Sequence, residues 1–83
     1  MRLTYDASVD AAYIYIGDRI DDGAVCETRS CEPDGVSGSI HLDFDSSGHL
    51  LGIEILGAKS FLTAETLRRA ERPITHGATK EDQ

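Results

Sequence analysis

No apolar run in this sequence approaches the roughly 20 residues that a membrane-spanning helix needs; the longest covers only residues 11–16. Met1 to Leu3 lead directly into polar residues, without the apolar stretch of a secretory signal, so the expected location is the cytoplasm. Basic residues are also few, 8 against 15 acidic ones, giving a formal charge of −7. Such a surface repels phosphate backbones, and nucleic acid is not an expected partner. Cysteine is scarce: Cys26 and Cys31 sit five positions apart on one predicted strand, with Cα atoms roughly 16 Å apart at about 3.3 Å per residue. They cannot bridge within that strand. Two reduced thiols are expected, with an intermolecular disulfide or a redox role as the alternative. Repeats, low-complexity tracts and linkers are missing too, so 83 residues hold one core.

What is present alternates with period two. Residues 2–5 read as a first strand. Residues 11–17 read as a second, with Tyr13 and Tyr15 on one face and Ala12, Ile14 and Ile16 on the other. Residues 24–32 form a weaker strand suited to a sheet edge, and Pro33-Asp34-Gly35 marks a turn. Ile40, Leu42 and Phe44 then alternate with His41, Asp43 and Asp45, and residues 50–56 make the strongest strand. Register in this last hairpin has two solutions, and one residue of slip exchanges the faces. With Asp45 opposing Gly48, Leu51 and Ile53 lie beside Leu42 and Ile40, and Glu54 points outward. With a three-residue loop and Gly48 as a left-handed bulge residue, Leu50, Gly52 and Glu54 align with the Phe44 face. The first keeps Glu54 out of a core and is favoured.

Thr63 is placed as a helix N-cap, with Leu62 and Leu67 positioned as a hydrophobic staple. Arg68, Arg69 and Arg72 suit the negative helix end, and Pro73 stops further winding, which predicts a helix over residues 64–72. The expected fold class is α+β: a small antiparallel sheet of four to five strands in hairpins or a meander, packed by one short C-terminal helix. That domain covers residues 1–73, and a mobile tail is expected over residues 74–83.

Chemistry-bearing patterns are sparse. Asp43-x-Asp45-x-Ser47-Gly48 with Glu54 has the ligand spacing of a calcium-binding EF-hand loop, but such a loop needs a helix on each side and both flanks here read as strand. A plain hairpin is expected. His41, His49, Cys26 and Cys31 lack zinc-site spacing, and no glycine-rich phosphate loop precedes a helix; no metal or cofactor is expected. The candidate functional carboxylates are Asp6, Asp10, Asp43 and Glu54, because acid/base or metal-assisted hydrolysis needs paired carboxylates in unlike environments. Asp6 and Asp10 also suit capping of the first hairpin turn.

Two stretches occur together: Tyr5-Asp6-Ala7-Ser8-Val9-Asp10-Ala11-Ala12-Tyr13-Ile14, and Leu42-Asp43-Phe44-Asp45 followed by Gly48 and Leu51-Gly52-Ile53-Glu54-Ile55-Leu56-Gly57-Ala58. In order and spacing the chain resembles, over residues 2–69, the bacterial and archaeal family named domain of unknown function 2283. The resemblance implies a small β-rich domain with a short helix and no established biochemical activity. It also implies, through relatives encoded beside small toxin-like proteins, an acidic partner that neutralises a small basic protein. The Cys-bearing segment between Asp22 and Ser39 is longer than the family pattern.

The expected function is therefore a protein–protein interaction module, with an antitoxin-like partner of a small basic protein as its finer form, rather than an enzyme; the alternative is a small hydrolase or metal-binding protein using the four carboxylates. A sheet with two faces and one helix leaves a face open. Tyr13, Tyr15, Leu50 and Leu56 form the candidate interface, and a homodimer is expected.

Overall fold

The computed structural model describes residues 1–73. The expected tail lies outside the described residues. Five strands, β1 (Arg2–Asp6), β2 (Ala11–Tyr15), β3 (Glu27–Cys31), β4 (Ser39–Phe44) and β5 (Leu50–Leu56), form one antiparallel sheet in the order β1-β2-β5-β4-β3. A single 3-10 turn (Ala58–Ser60) and the helix α1 (Ala64–Arg69) follow. The α+β expectation holds. The chain is not a simple meander, because β2 pairs with β5 and the β2–β3 connection has to cross the end of the sheet.

Pairing sorts the alternating side chains onto two faces. Tyr5 opposes Ala12 and Leu3 opposes Ile14; Ala12 and Ile14 oppose Ile55 and Ile53; and these oppose Ile40 and Leu42. This is the face the helix covers. Among the described residues only Ala12, Ile55 and Ala58 are buried apolar ones, with Leu3, Tyr5, Ile14, Ile40, Ile53, Phe61, Leu62 and Leu67 packed around them. Leu42, Phe44 and Leu50 are half-buried and lie outside that cluster.

The β4–β5 hairpin combines both sequence readings and matches neither. Asp45 N–H donates to the His49 carbonyl at 2.9 Å, and Gly48 takes φ 86°, the left-handed conformation that glycine admits without strain. The turn is thus the three-residue loop. A bulge between Asp43 and Phe44 then shifts the register, so Phe44 opposes Leu50 but Asp43 opposes Gly52. Leu51 is the extra residue, and its carbonyl accepts from Ile16 N–H at 3.0 Å. The favoured register is corrected accordingly: Ile53 lies beside Leu42 and Ile55 beside Ile40. Two one-residue offsets still leave Glu54 opposite His41, on the face away from the helix.

Thr63 caps α1 as expected, its hydroxyl oxygen accepting from Thr66 N–H at 3.2 Å. The helix ends three residues sooner than expected. Ala70 is extended, Glu71 N–H donates to the Leu3 carbonyl at 2.9 Å, and Tyr5 N–H donates to the Glu71 carbonyl at 2.8 Å. The segment after α1 thus takes up the outer edge of β1, and strand bonds replace the last helical turn.

Candidate functional site

Three of the four candidate carboxylates are engaged in holding the fold. Asp6 Oδ1 accepts from Ser8 N–H at 3.0 Å and from the Ser8 hydroxyl at 2.6 Å, closing the β1–β2 turn. Asp10 reaches further than a local cap. Its backbone is left-handed at φ 53°, and its carbonyl accepts from Gly57 and Ala58 N–H, both at 3.0 Å. Its carboxylate accepts from the Tyr5 hydroxyl at 2.7 Å and from Lys59 N–H at 3.1 Å. Asp10 thus anchors the 3-10 turn that brings α1 back over the sheet. The bond to Asp10 is the main cause that raises the Tyr5 phenol above its ordinary pKa; desolvation and the charges of Asp10 and Asp6 add to it.

Asp43 lies on the face away from the helix. One of its oxygens accepts from the Tyr13 hydroxyl at 2.6 Å and the other from the Thr28 hydroxyl at 2.6 Å. Tyr13 reaches from β2 to β4 only by lying across β5, and Gly52 makes this possible: a Cβ there would collide with the Tyr13 ring. The result is a polar tie across β2, β5, β4 and β3. Desolvation first, then the Asp43 bond, raise the Tyr13 phenol well above its ordinary pKa. Tyr15 meets the Tyr13 ring edge-on at 4.7 Å between centroids, and the Arg2 guanidinium sits 4.8 Å from the Tyr15 centroid.

Beside this tie, His41 opposes Glu54, with the Ser30 hydroxyl 3.0 Å from Nδ1 and the Ser39 hydroxyl 3.0 Å from Nε2. The two serines hold the ring on both sides. Asp43 and Glu54 therefore share a face in neighbouring strands, while Asp6 and Asp10 serve the turn after β1; the four do not converge. The calcium-like pattern is a hairpin. Asp45 Oδ1 accepts from Ser47 and His49 N–H, both at 2.9 Å, and Glu54 lies opposite His41, several residues down the strand from the turn. Among the described residues no group of three or more His, Cys, Asp and Glu could hold a metal ion.

The candidate interface residues divide between faces. Tyr13, Tyr15 and Leu56 lie on the polar face, where Leu56 is 36% exposed. Leu50 pairs with Phe44 and joins the helix-side face, because the bulge at Leu51 reverses the parity of the strand. There the uncovered half carries Leu42, Phe44 and Leu50, with the Arg29 guanidinium 5.9 Å from the Phe44 centroid. The half-and-half cover of this face was missed in the sequence. The length of the helix, about two turns against five strands, was the available signal.

A family model described as Protein of unknown function (DUF2283) matches residues 2–59. The chain belongs to this family. The match ends at Lys59, whose N–H meets Asp10, so the sheet and its lock fall inside it while α1 lies beyond. No curated protein and no solved structure matches the chain. No helix among the described residues is long and apolar enough to cross a membrane.

Proposed function

We propose that this family member is a protein-interaction module that binds a basic protein on the uncovered half of its helix-side face. The observation that carries the reading is the half-buried set Leu42, Phe44 and Leu50, left outside the cluster that α1 packs. Burying each such side chain is worth about 1.5–3 kcal/mol, so the face favours an apolar contact. Charge gives the sign of the partner. Residues 17–34, which include the neighbouring strand β3, carry six acids and two bases, and both bases are already paired: Arg19 with Asp21 and Arg29 with Glu27. Asp22, Glu32 and Asp34, without an ion-pair partner among the described residues, supply acidic charge beside an apolar floor, which suits a small basic protein and an antitoxin-like role.

The hydrolase or metal-binding alternative finds less support. Asp6, Asp10 and Asp43 spend their oxygens on turns and on the cross-sheet tie, and of the other three only Asp43 stands in a strand next to that of Glu54. The test is capture of partners by tagged protein in its native host, followed by direct binding of what is captured. A basic protein whose affinity falls with salt and is lost in Leu42→Glu, with the fold intact, supports the reading. No specific protein, or one that binds Leu42→Glu as well as the parent, overturns it.

A further inference from the structure

The two edges of the sheet are treated differently. The β1 edge is occupied by Glu71 through two backbone hydrogen bonds, whereas β3 is exposed along all five residues and contains no proline. Ladder geometry tells which β3 groups are free. Ile16 N–H donates to the Leu51 carbonyl, and continuing that register makes Ile14 with Ile53 and Ala12 with Ile55 the hydrogen-bonded pairs of β2 and β5. Antiparallel alternation then directs positions 52, 54 and 56 of β5 toward β4, and positions 40, 42 and 44 of β4 toward β3. Glu27, Arg29 and Cys31 therefore bond inward, and Thr28 and Ser30 direct their backbone N–H and C=O outward.

We propose that β3 pairs with β3 of a second copy about a two-fold axis at Thr28, forming a continuous ten-stranded sheet. A symmetric antiparallel edge must place a residue opposite itself, and only some choices are electrostatically acceptable. An axis at Glu27 sets Glu27 against Glu27, and one at Arg29 sets Arg29 against Arg29. An axis at Thr28 sets Glu27 against Arg29 of the second copy twice over, so the pair now closed within one strand, at 2.7 Å, re-forms across the interface. The same register brings Cys31 level with Val25 and Ser30 level with Cys26 of the second copy, both outside β3 and the latter with its N–H already given to the Phe44 carbonyl at 2.8 Å, so the pairing centres on Thr28, no cysteine opposes a cysteine and the contact needs no disulfide. It also sets the two uncovered apolar half-faces on either side of one seam. This inference does not rest on the basic-partner reading. An edge this short buries less than the roughly 1,600 Å² of a standard interface, so association is weak and concentration-dependent.

Sedimentation equilibrium with reductant present, up to about millimolar protein, tests it. Mass is expected to rise from one chain of 9.0 kDa toward two. Thr28→Pro removes an outward N–H while sparing the β3–β4 ladder, and is expected to leave a monomer. Arg29→Glu is expected to weaken association about tenfold by facing acids with acids, and Glu27→Arg in addition to restore it. That exchange keeps the proposal testable even if Thr28→Pro unfolds. A single-chain mass at every concentration, a dimer lost on adding reductant, or one indifferent to Arg29→Glu but broken by Tyr13→Glu or Leu42→Glu overturns it.

Discussion

Strands β1, β2 and β5 carry α1 and the 3-10 turn on one face, contain the buried Ala12 and Ile55, and have their outer edge taken up by Glu71. Strand β4 has the same alternation, yet its apolar residues stay half-buried, and β3, Glu-Thr-Arg-Ser-Cys, is exposed throughout and leaves the outer edge open. The difference follows from dimensions. Five strands spaced about 4.8 Å apart span about 19 Å, while one helix with its side chains is about 10–12 Å across. A single short helix covers about half such a sheet. Burial therefore holds one half, while the other relies on a tight hairpin and on a polar tie from its neighbour.

The largest expected effect separates the halves directly. Ile55→Ala removes a side chain 4% exposed at the centre of the packed cluster, and is expected to cost about 3 kcal/mol. Leu42→Ala, half-buried on the uncovered side, is expected to cost about 1 kcal/mol in the monomer. Urea denaturation of both variants at low concentration gives the comparison. Equal losses would mean that the β4 side is covered as well.

Next in size is the lock that fixes the cover in place. Asp10→Ala strands the Tyr5 hydroxyl and Lys59 N–H and puts a residue unsuited to φ 53° into the turn, for an expected loss of about 2 kcal/mol. Asp10→Asn keeps an acceptor oxygen and tolerates that backbone, so most of the stability should survive. A small loss in Asp10→Ala would show that packing through Leu62 and Leu67 holds α1 down unaided.

These contrasts also explain what the sequence could and could not reveal. Strand faces were legible because Ala12/Ile14 and Ile40/Leu42 alternate without interruption, and the helix start was legible because Thr63, Leu62 and Leu67 act within one turn. Register was not, since two separate one-residue offsets, at Gly48 and at Leu51, cancel in their effect on Glu54 while moving Leu50 to the other face. The early end of α1 depends on a sheet edge more than sixty residues away in sequence. The role of Asp10 was half legible: a turn residue was expected, but its partner Lys59 is 49 positions distant. The cross-sheet tie was hidden for the same reason, although Gly52 inside the strongest strand marked a close approach.

That tie joins the two halves, and cutting it gives a smaller effect. Tyr13→Phe keeps the ring over Gly52 and removes only the donor to Asp43, for about 1 kcal/mol. The pH dependence has a definite sign. A phenol whose folded pKa is raised contributes stability that is complete below its unfolded value near 10 and is lost as pH rises toward the folded value. The parent should lose stability above about pH 10, and Tyr13→Phe should lose less of it over that range. Parallel alkaline curves for the two would show that the tie does not hold the halves together.

The smallest effect belongs to the far tip of the uncovered half. Asp45 accepts from Ser47 and His49 N–H, and its pKa is lowered, with the His49 backbone bond the largest cause. A carboxylate with a depressed pKa contributes stability above its unfolded value, near 4, and loses it as pH falls through the folded value. His49 Nδ1 also lies 3.3 Å from Asp45, and that side-chain contact adds to the lowering of the Asp45 pKa. Acidification should therefore loosen this turn without disturbing the packed half. Amide exchange at Ser47 and His49 should quicken below about pH 4 while that at Ile53 and Ile55 keeps pace with the decline in intrinsic rates, and Asp45→Asn should show the faster exchange already at neutral pH. Synchronous loss of protection at all four amides would mean that the two halves unfold as one unit, and that the thinly covered side is as firmly held as the packed one.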